Sequence, residues 1–150
     1  MKNYLQETPM LNYSNKSIQE LIERKGWKHL DEFHRILEIY NFVRDDILFG
    51  YNINDNVTAS RVLSDGYGQC NTKGTLFMAL LRGCQIPCRI HGFTIDKKLQ
   101  KGAMTGFVYK NAPLNVFHSW VEIYYDGYWY DLEGFILDKL YLNQLQKLNS

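Results

Sequence analysis

The stretch 65-DGYGQCNTKGTLFMALL-81 sets two glycines ahead of a cysteine, and an apolar run follows the cysteine at once. From Cys70 to about Arg82 the residues are apolar almost all round, which is the pattern of a central helix packed on most sides. Gly83 and Pro87 close that helix. Cys70 therefore stands in its first turn. A helix N-terminus offers free N–H groups and a partial positive charge, and both favour the thiolate of a group whose ordinary pKa is about 8.5. Gly66 and Gly68 let the backbone turn sharply into the helix. The same N–H groups suit the oxyanion of an acyl-transfer intermediate, with the Gln69 side chain as an added donor. The competing reading is a small buried cysteine at the start of a core helix. A phosphate loop is disfavoured, because the stretch lacks the G-x-x-x-x-G-K-[ST] spacing.

Upstream, 17-SIQELIERKGW-27 opens with Ser17 and has Glu20 three places on, a capping-box pattern, with Ile18, Leu21 and Ile22 as its apolar stripe. The next segment, 30-LDEFHRILEIYNFVRDDI-47, places Phe33, Ile36, Leu37, Tyr40 and Val43 at helical spacing. A loop over 49-FGYNINDN-56 and one helical turn in 58-TASRVLSDG-66 lead to the glycines.

Downstream, 88-CRIHGFTI-95 reads as a strand, residues 96–115 as a long loop with an aromatic patch at 107-FVY-109, and 138-DKLYLNQLQKL-148 as a closing helix with Leu140, Tyr141, Leu145 and Leu148 inward. The clearest β signal is 118-HSWVEIYYDGYWYDLEGF-135, two β-rich runs around Asp126-Gly127, a dipeptide suited to a tight hairpin turn. Helices first and strands later predict an α+β fold.

A nucleophilic thiol needs a base, and the base an orienting partner. His29 and His34 fall near or on the early helices; His91 and His118 fall on strands. A two-residue turn pairs Tyr125 with Tyr128 and, counting outward, Trp120 with Glu133 and His118 with Phe135. His118, Trp120, Glu122, Asp131 and Glu133 then project to one side of the sheet. Glu133 becomes a diagonal neighbour of His118, with α-carbons roughly 7–8 Å apart. Asp131 and Glu122 lie about 13 Å along the ladder from it. The count picks Glu133 as the orienting carboxylate; a one-residue bulge would move the choice, and Asp131 stays open as the alternative.

Composition bounds the rest. The chain has 150 residues, enough for one domain with a real core, and residues 1–150 are read as a single domain, without repeat or linker. Net charge is +1 with no basic block, which speaks against a nucleic-acid partner. No apolar run is long enough to span a bilayer, and none follows Met1 as a signal peptide would require. Three cysteines without an export signal predict reduced thiols in a cytoplasm. Cys84, Cys88 and His91 have a C-x₃-C-x₂-H spacing but lack a fourth ligand, so neither metal nor cofactor is expected.

The blocks 67-YGQCNTKGTLFMALLRGCQIPCRIHGF-93 and 118-HSWVEIYYDGYWYDLEGF-135 resemble the transglutaminase-like superfamily: a G-x-C motif opening a helix, a Pro-containing turn into a strand, then H-x-W-V-E and an acid shortly after a tryptophan. The resemblance covers roughly residues 35–137. It implies a papain/transglutaminase-like core, with N-terminal helices and the Cys-bearing helix packed on an antiparallel sheet. It places the family's nucleophile on Cys70, its histidine on His118 and, by spacing from Trp129, its third member on Glu133, where aspartate is usual. It implies a thioester acyl-enzyme acting on a peptide or protein amide, hydrolytic or transamidating, with Trp120 walling the cleft. A catalytically inactive binding module on the same fold is the alternative.

Overall fold

The computed structural model describes residues 1–96, 98, 110, 111 and 114–148. Much of the long loop expected over 96–115, with its 107–109 aromatic patch, therefore lies outside the described residues.

Helix α1 (Lys16–Lys25) buries Ile18, Leu21 and Ile22 and stops at Gly26, whose φ of +66° is the left-handed cap glycine adopts without strain. Its start corrects the capping-box reading. Asn15 is the N-cap, its Oδ1 accepting from the Ser17 N–H at 3.0 Å and from Ser17 Oγ at 2.8 Å. Ser17 is already inside the first turn, because the Asn15 carboxamide two residues earlier accepts the Ser17 N–H and caps the helix there.

Helix α2 (Glu32–Asp45) starts on Asp31, which accepts from the His34 N–H at 3.1 Å. Its inward row is Ile36, Ile39 and Val43, while Phe33 and Leu37 are exposed. The stripe is thus rotated from the expected one. Ile39 is fully buried in the core, and Phe33 rests its ring near Tyr125 at 6.1 Å. Arg35 fastens α2 to its surroundings, donating to the carbonyls of Trp27 (3.1 Å), Leu30 (2.8 Å) and Cys84 (3.0 Å).

Strand β1 (Leu48–Phe49), helix α3 (Ala59–Asp65) and strand β2 (Tyr67–Gly68) form the approach to the central helix. The two short strands pair in parallel, Leu48 with Tyr67 and Phe49 with Gly68, a contact the sequence did not announce. Helix α4 (Cys70–Gly83) is buried at every residue from Thr72 to Gly83. Leu76, Phe77, Leu80 and Leu81 are fully covered, each contributing about 1.5–3 kcal/mol through the surface it removes from water.

The sheet has the order β3 (Cys88–Asp96), β4 (Asn115–Tyr125), β5 (Tyr128–Leu132), antiparallel throughout. Tyr125 pairs with Tyr128 across Asp126-Gly127, so the hairpin has the expected two-residue turn and no bulge in its ladder. Ser119, Val121 and Ile123 are the buried face of β4, turned to α4; the alternate residues, including His118, Trp120 and Glu122, stand on the other face. The α+β arrangement, a Cys-bearing helix on an antiparallel sheet, is the one expected.

Helix α5 (Lys139–Leu148) buries none of its residues. Leu140 and Leu148 are exposed, against expectation; Tyr141 and Leu145 are half-covered, and the Tyr141 ring lies 4.7 Å from Phe49. No helix among the described residues is long and apolar enough to cross a membrane.

Candidate active site

The two glycines before the cysteine do different work. Gly66 caps α3 with a φ of +73°, a left-handed conformation. Gly68 is needed for space: a Cβ there would come within 2.6 Å of Thr72 Oγ1 and 3.0 Å of Lys73 Cγ. Gln69 is the N-cap of α4 and closes a capping box with Thr72, its own N–H donating to Thr72 Oγ1 at 3.0 Å.

Cys70, the first residue of α4, is half-buried rather than sealed. Its Sγ–H donates to Gln69 Oε1 at 3.0 Å, and the same oxygen accepts the Asn71 N–H at 2.9 Å. Burial pushes the thiol above its ordinary value; the N–H and hydroxyl of Ser119 and the N–H of Asn71 pull the other way, and the nearby charge of Asp55 adds to the rise. Burial thus favours the protonated thiol, where helix-start reasoning alone favours the thiolate.

Gln69 occupies a different role from an open oxyanion donor. Its Nε2 donates to Asp55 Oδ1 at 2.6 Å while its Oε1 serves as the cap. Asp55 also accepts from Asn71 Nδ2 at 2.8 Å, so one carboxylate clasps both neighbours of the cysteine. Tyr51 lies in the same quarter: burial raises its phenol first, with Tyr141 and Cys70 adding to the rise.

His118 pairs with Phe93 across the β3–β4 ladder, and its ring meets the Phe93 ring edge-on at 5.8 Å. Its Nε2 lies 3.5 Å from Glu133 Oε2, a long contact to a carboxylate at the end of β5. Asp131, the other candidate, accepts from Trp120 Nε1 at 2.7 Å. The Trp120 indole is stacked on His91 (centroids 5.5 Å apart) and set edge-on to Phe93 (5.4 Å). Glu122 is engaged by Arg89 and by His91 Nε2, the latter at 2.7 Å.

Two pairs are thus assembled, Cys70 with Gln69 and His118 with Glu133. The described contacts of the thiol come from Gln69, Asn71 and Ser119, and those of the imidazole from Phe93 and Glu133. Ser119, which touches the thiol, is the next residue after His118; its side chain is on the α4 face of β4 and the imidazole on the other.

Cys84 and Cys88 are buried free thiols, pushed by burial to about 11 and about 12, and Cys88 Sγ contacts the Met78 carbonyl. His91 projects from the opposite face of β3 to Cys88, and no metal-holding group of side chains exists among the described residues.

The family model of the transglutaminase-like superfamily matches residues 19–134. The chain belongs to the transglutaminase-like superfamily. A solved structure called "a Putative Cysteine Protease from Cytophaga hutchinsonii" has the same fold, with a TM-score of 0.69 over 93% of this chain at 19% identity. The present chain spans 43% of that protein's length. No curated protein matches the sequence.

Within this transglutaminase-like frame, the residues that sequence reasoning missed are Asp55, Asn71 and Ser119. Asp55 sits in a loop 15 places before Cys70 with no local motif to mark it. Asn71 and Ser119 had a signal, since each directly follows a candidate catalytic residue, but small polar residues there read equally well as ordinary cap and strand positions.

Proposed function

We propose that the chain is a cysteine-nucleophile enzyme that acts on a peptide or protein amide through a thioester acyl-enzyme. Cys70 is the nucleophile, His118 the acid–base and Glu133 the carboxylate that orients the imidazole. His118 takes the thiol proton as Sγ attacks the carbonyl carbon. The C–N bond breaks, and the imidazolium hands its proton to the departing amine. His118 then draws a proton from water, or from an amine, which attacks the thioester; the sulfur leaves and recovers its proton. The Cys70 N–H, the first of α4, serves the developing oxyanion, since the Asn71 N–H is taken by Gln69 Oε1. Burial favours the thiol, which donates to Gln69 Oε1, and His118 then acts as a general base during attack rather than holding a preformed ion pair.

The observation that carries this reading is the placement of Cys70 at the N-terminus of α4, half-exposed and in contact with the residue next to His118. Water is the preferred acceptor. A labelled primary amine offered with a glutamine-containing peptide separates the outcomes: ammonia release without amine incorporation supports hydrolysis, and incorporation supports transamidation. The second reading is a binding module without catalysis. It is favoured by one observation, the donation of the thiol to Gln69 instead of to an imidazole. Under it, Cys70→Ala and the parent protein give the same background in both assays.

A further inference from the structure

Asn71 follows Cys70 by one residue, and Ser119 follows His118 by one. The two are hydrogen-bonded: Ser119 Oγ donates to Asn71 Oδ1 at 2.7 Å. Ser119 is 1% exposed, on the face of β4 that packs against α4. Asn71 is held at its other end, Nδ2 donating to Asp55 Oδ2 at 2.8 Å, and Asp55 Oδ1 accepts from Gln69 Nε2 at 2.6 Å. A polar chain thus runs Gln69–Asp55–Asn71–Ser119, flanking both reacting residues and including neither.

Deeper along the same contact, the Gly74 position of α4 faces Val121 of β4. Apolar contact of that kind is non-directional and tolerates a slide of helix over strand. A buried hydrogen bond does not, since it weakens steeply with distance and angle and leaves an unsatisfied hydroxyl when broken. The Ser119–Asn71 link is a directional contact that fixes the register of helix α4 against strand β4 beside Cys70 and His118.

We propose that the Ser119–Asn71 hydrogen bond, anchored by Asp55, sets the position of His118 relative to Cys70, so that Ser119, Asn71 and Asp55 are positioning residues of the acyl transfer. The inference rests on the roles proposed for Cys70 and His118. Its consequence falls on the step in which His118 must activate water against the thioester.

The test uses p-nitrophenyl acetate on the intact chain, following the p-nitrophenolate burst, the steady turnover and the acetyl group on Cys70 by mass spectrometry. Cys70→Ala and His118→Ala come first. If acetyl is cleared from the His118→Ala protein as fast as from the parent, the functional reading itself fails. If His118→Ala stalls, Ser119→Ala is expected to keep the burst, lose turnover by on the order of a hundredfold, and lose the pH inflection of deacylation. Asn71→Asp, which sets a second carboxylate against Asp55, is expected to stall likewise. Adding Asp55→Asn to Asn71→Asp exchanges donor and acceptor across that link and restores turnover. Clearance of acetyl from Ser119→Ala at the parental rate overturns the inference. So does a proportional loss of burst and turnover together with a lower melting temperature, which marks a structural role alone. Should Asn71→Asp not fold, Ser119→Ala decides: its hydroxyl also reaches the Cys70 thiol, and a burst kept at the parental rate shows that the loss lies in deacylation and not in the nucleophile.

Discussion

Trp120 Nε1 donates to Asp131 Oδ1 at 2.7 Å, which gives this carboxylate a partner of its own while Glu133 meets His118. The hairpin register puts both acids on one face, and the indole sorts them. Glu133→Gln is expected to lower Cys70-dependent turnover by about tenfold to a hundredfold, at the lower part of the range for acid–base assistance because the contact is long and half-open to solvent. Asp131→Asn keeps an oxygen for the indole and is expected to leave turnover within about twofold, a change of roughly 0.4 kcal/mol. Steady-state rates on p-nitrophenyl acetate check both.

The pH profile of Cys70 alkylation follows from its surroundings. Burial and the Asp55 charge raise the thiol, and iodoacetamide labelling of Cys70 is expected to rise with pH later than that of free cysteine. Asp55→Asn removes the charge and shifts the profile to lower pH. A profile that is unmoved by Asp55→Asn contradicts this assignment of cause.

Lys73 is fully buried in α4, and its ammonium donates to the carbonyls of Arg44 (3.1 Å), Ile47 (2.6 Å) and Ile136 (3.0 Å). It ties the end of α2, the start of β1 and the chain after β5 to helix α4. Lys73→Met leaves these carbonyls without their donor and is expected to cost about 3–5 kcal/mol, read as a lower urea midpoint at unchanged slope. Burial lowers this ammonium to about 8. Between about 8 and the unfolded value near 10.5 the unfolded chain binds the extra proton, so the penalty for the buried charge, complete below pH 8, is relieved as pH climbs through that window. The stability gap between the parent and Lys73→Met should change with that sign.

Gly68 has no room for a side chain. Gly68→Ala drives a methyl into Thr72 Oγ1 and Lys73 Cγ and breaks the capping box, at an expected cost of about 1–3 kcal/mol by overpacking. Circular dichroism melts give the stability loss, and faster iodoacetamide labelling of Cys70 reports a loosened start of α4.

The legible parts of the sequence were those with strong local chemistry. Asp126-Gly127 demands a two-residue turn, and that turn fixes every pairing in the hairpin, including the diagonal of His118 and Glu133. The run from Cys70 onward is apolar on all sides and permits only a central helix. What was not legible depends on distant partners. The α2 stripe had several apolar candidates, and tertiary packing buries Ile39 and leaves Leu37 exposed. Leu140 and Leu148 fit a helical stripe in α5, yet nothing among the described residues covers them. Lys73 carries no local sign of burial, and three backbone carbonyls from far along the chain hold it inside. Asp55 belongs to the same class, since its meaning lies in Gln69 and Asn71 rather than in its own neighbours.

The most direct test is the acetyl balance on Cys70 after exposure to p-nitrophenyl acetate. The account predicts an acetyl thioester on Cys70 that is cleared in the parent protein and persists in His118→Ala. Absence of acetyl from Cys70, or equal clearance in both proteins, contradicts it.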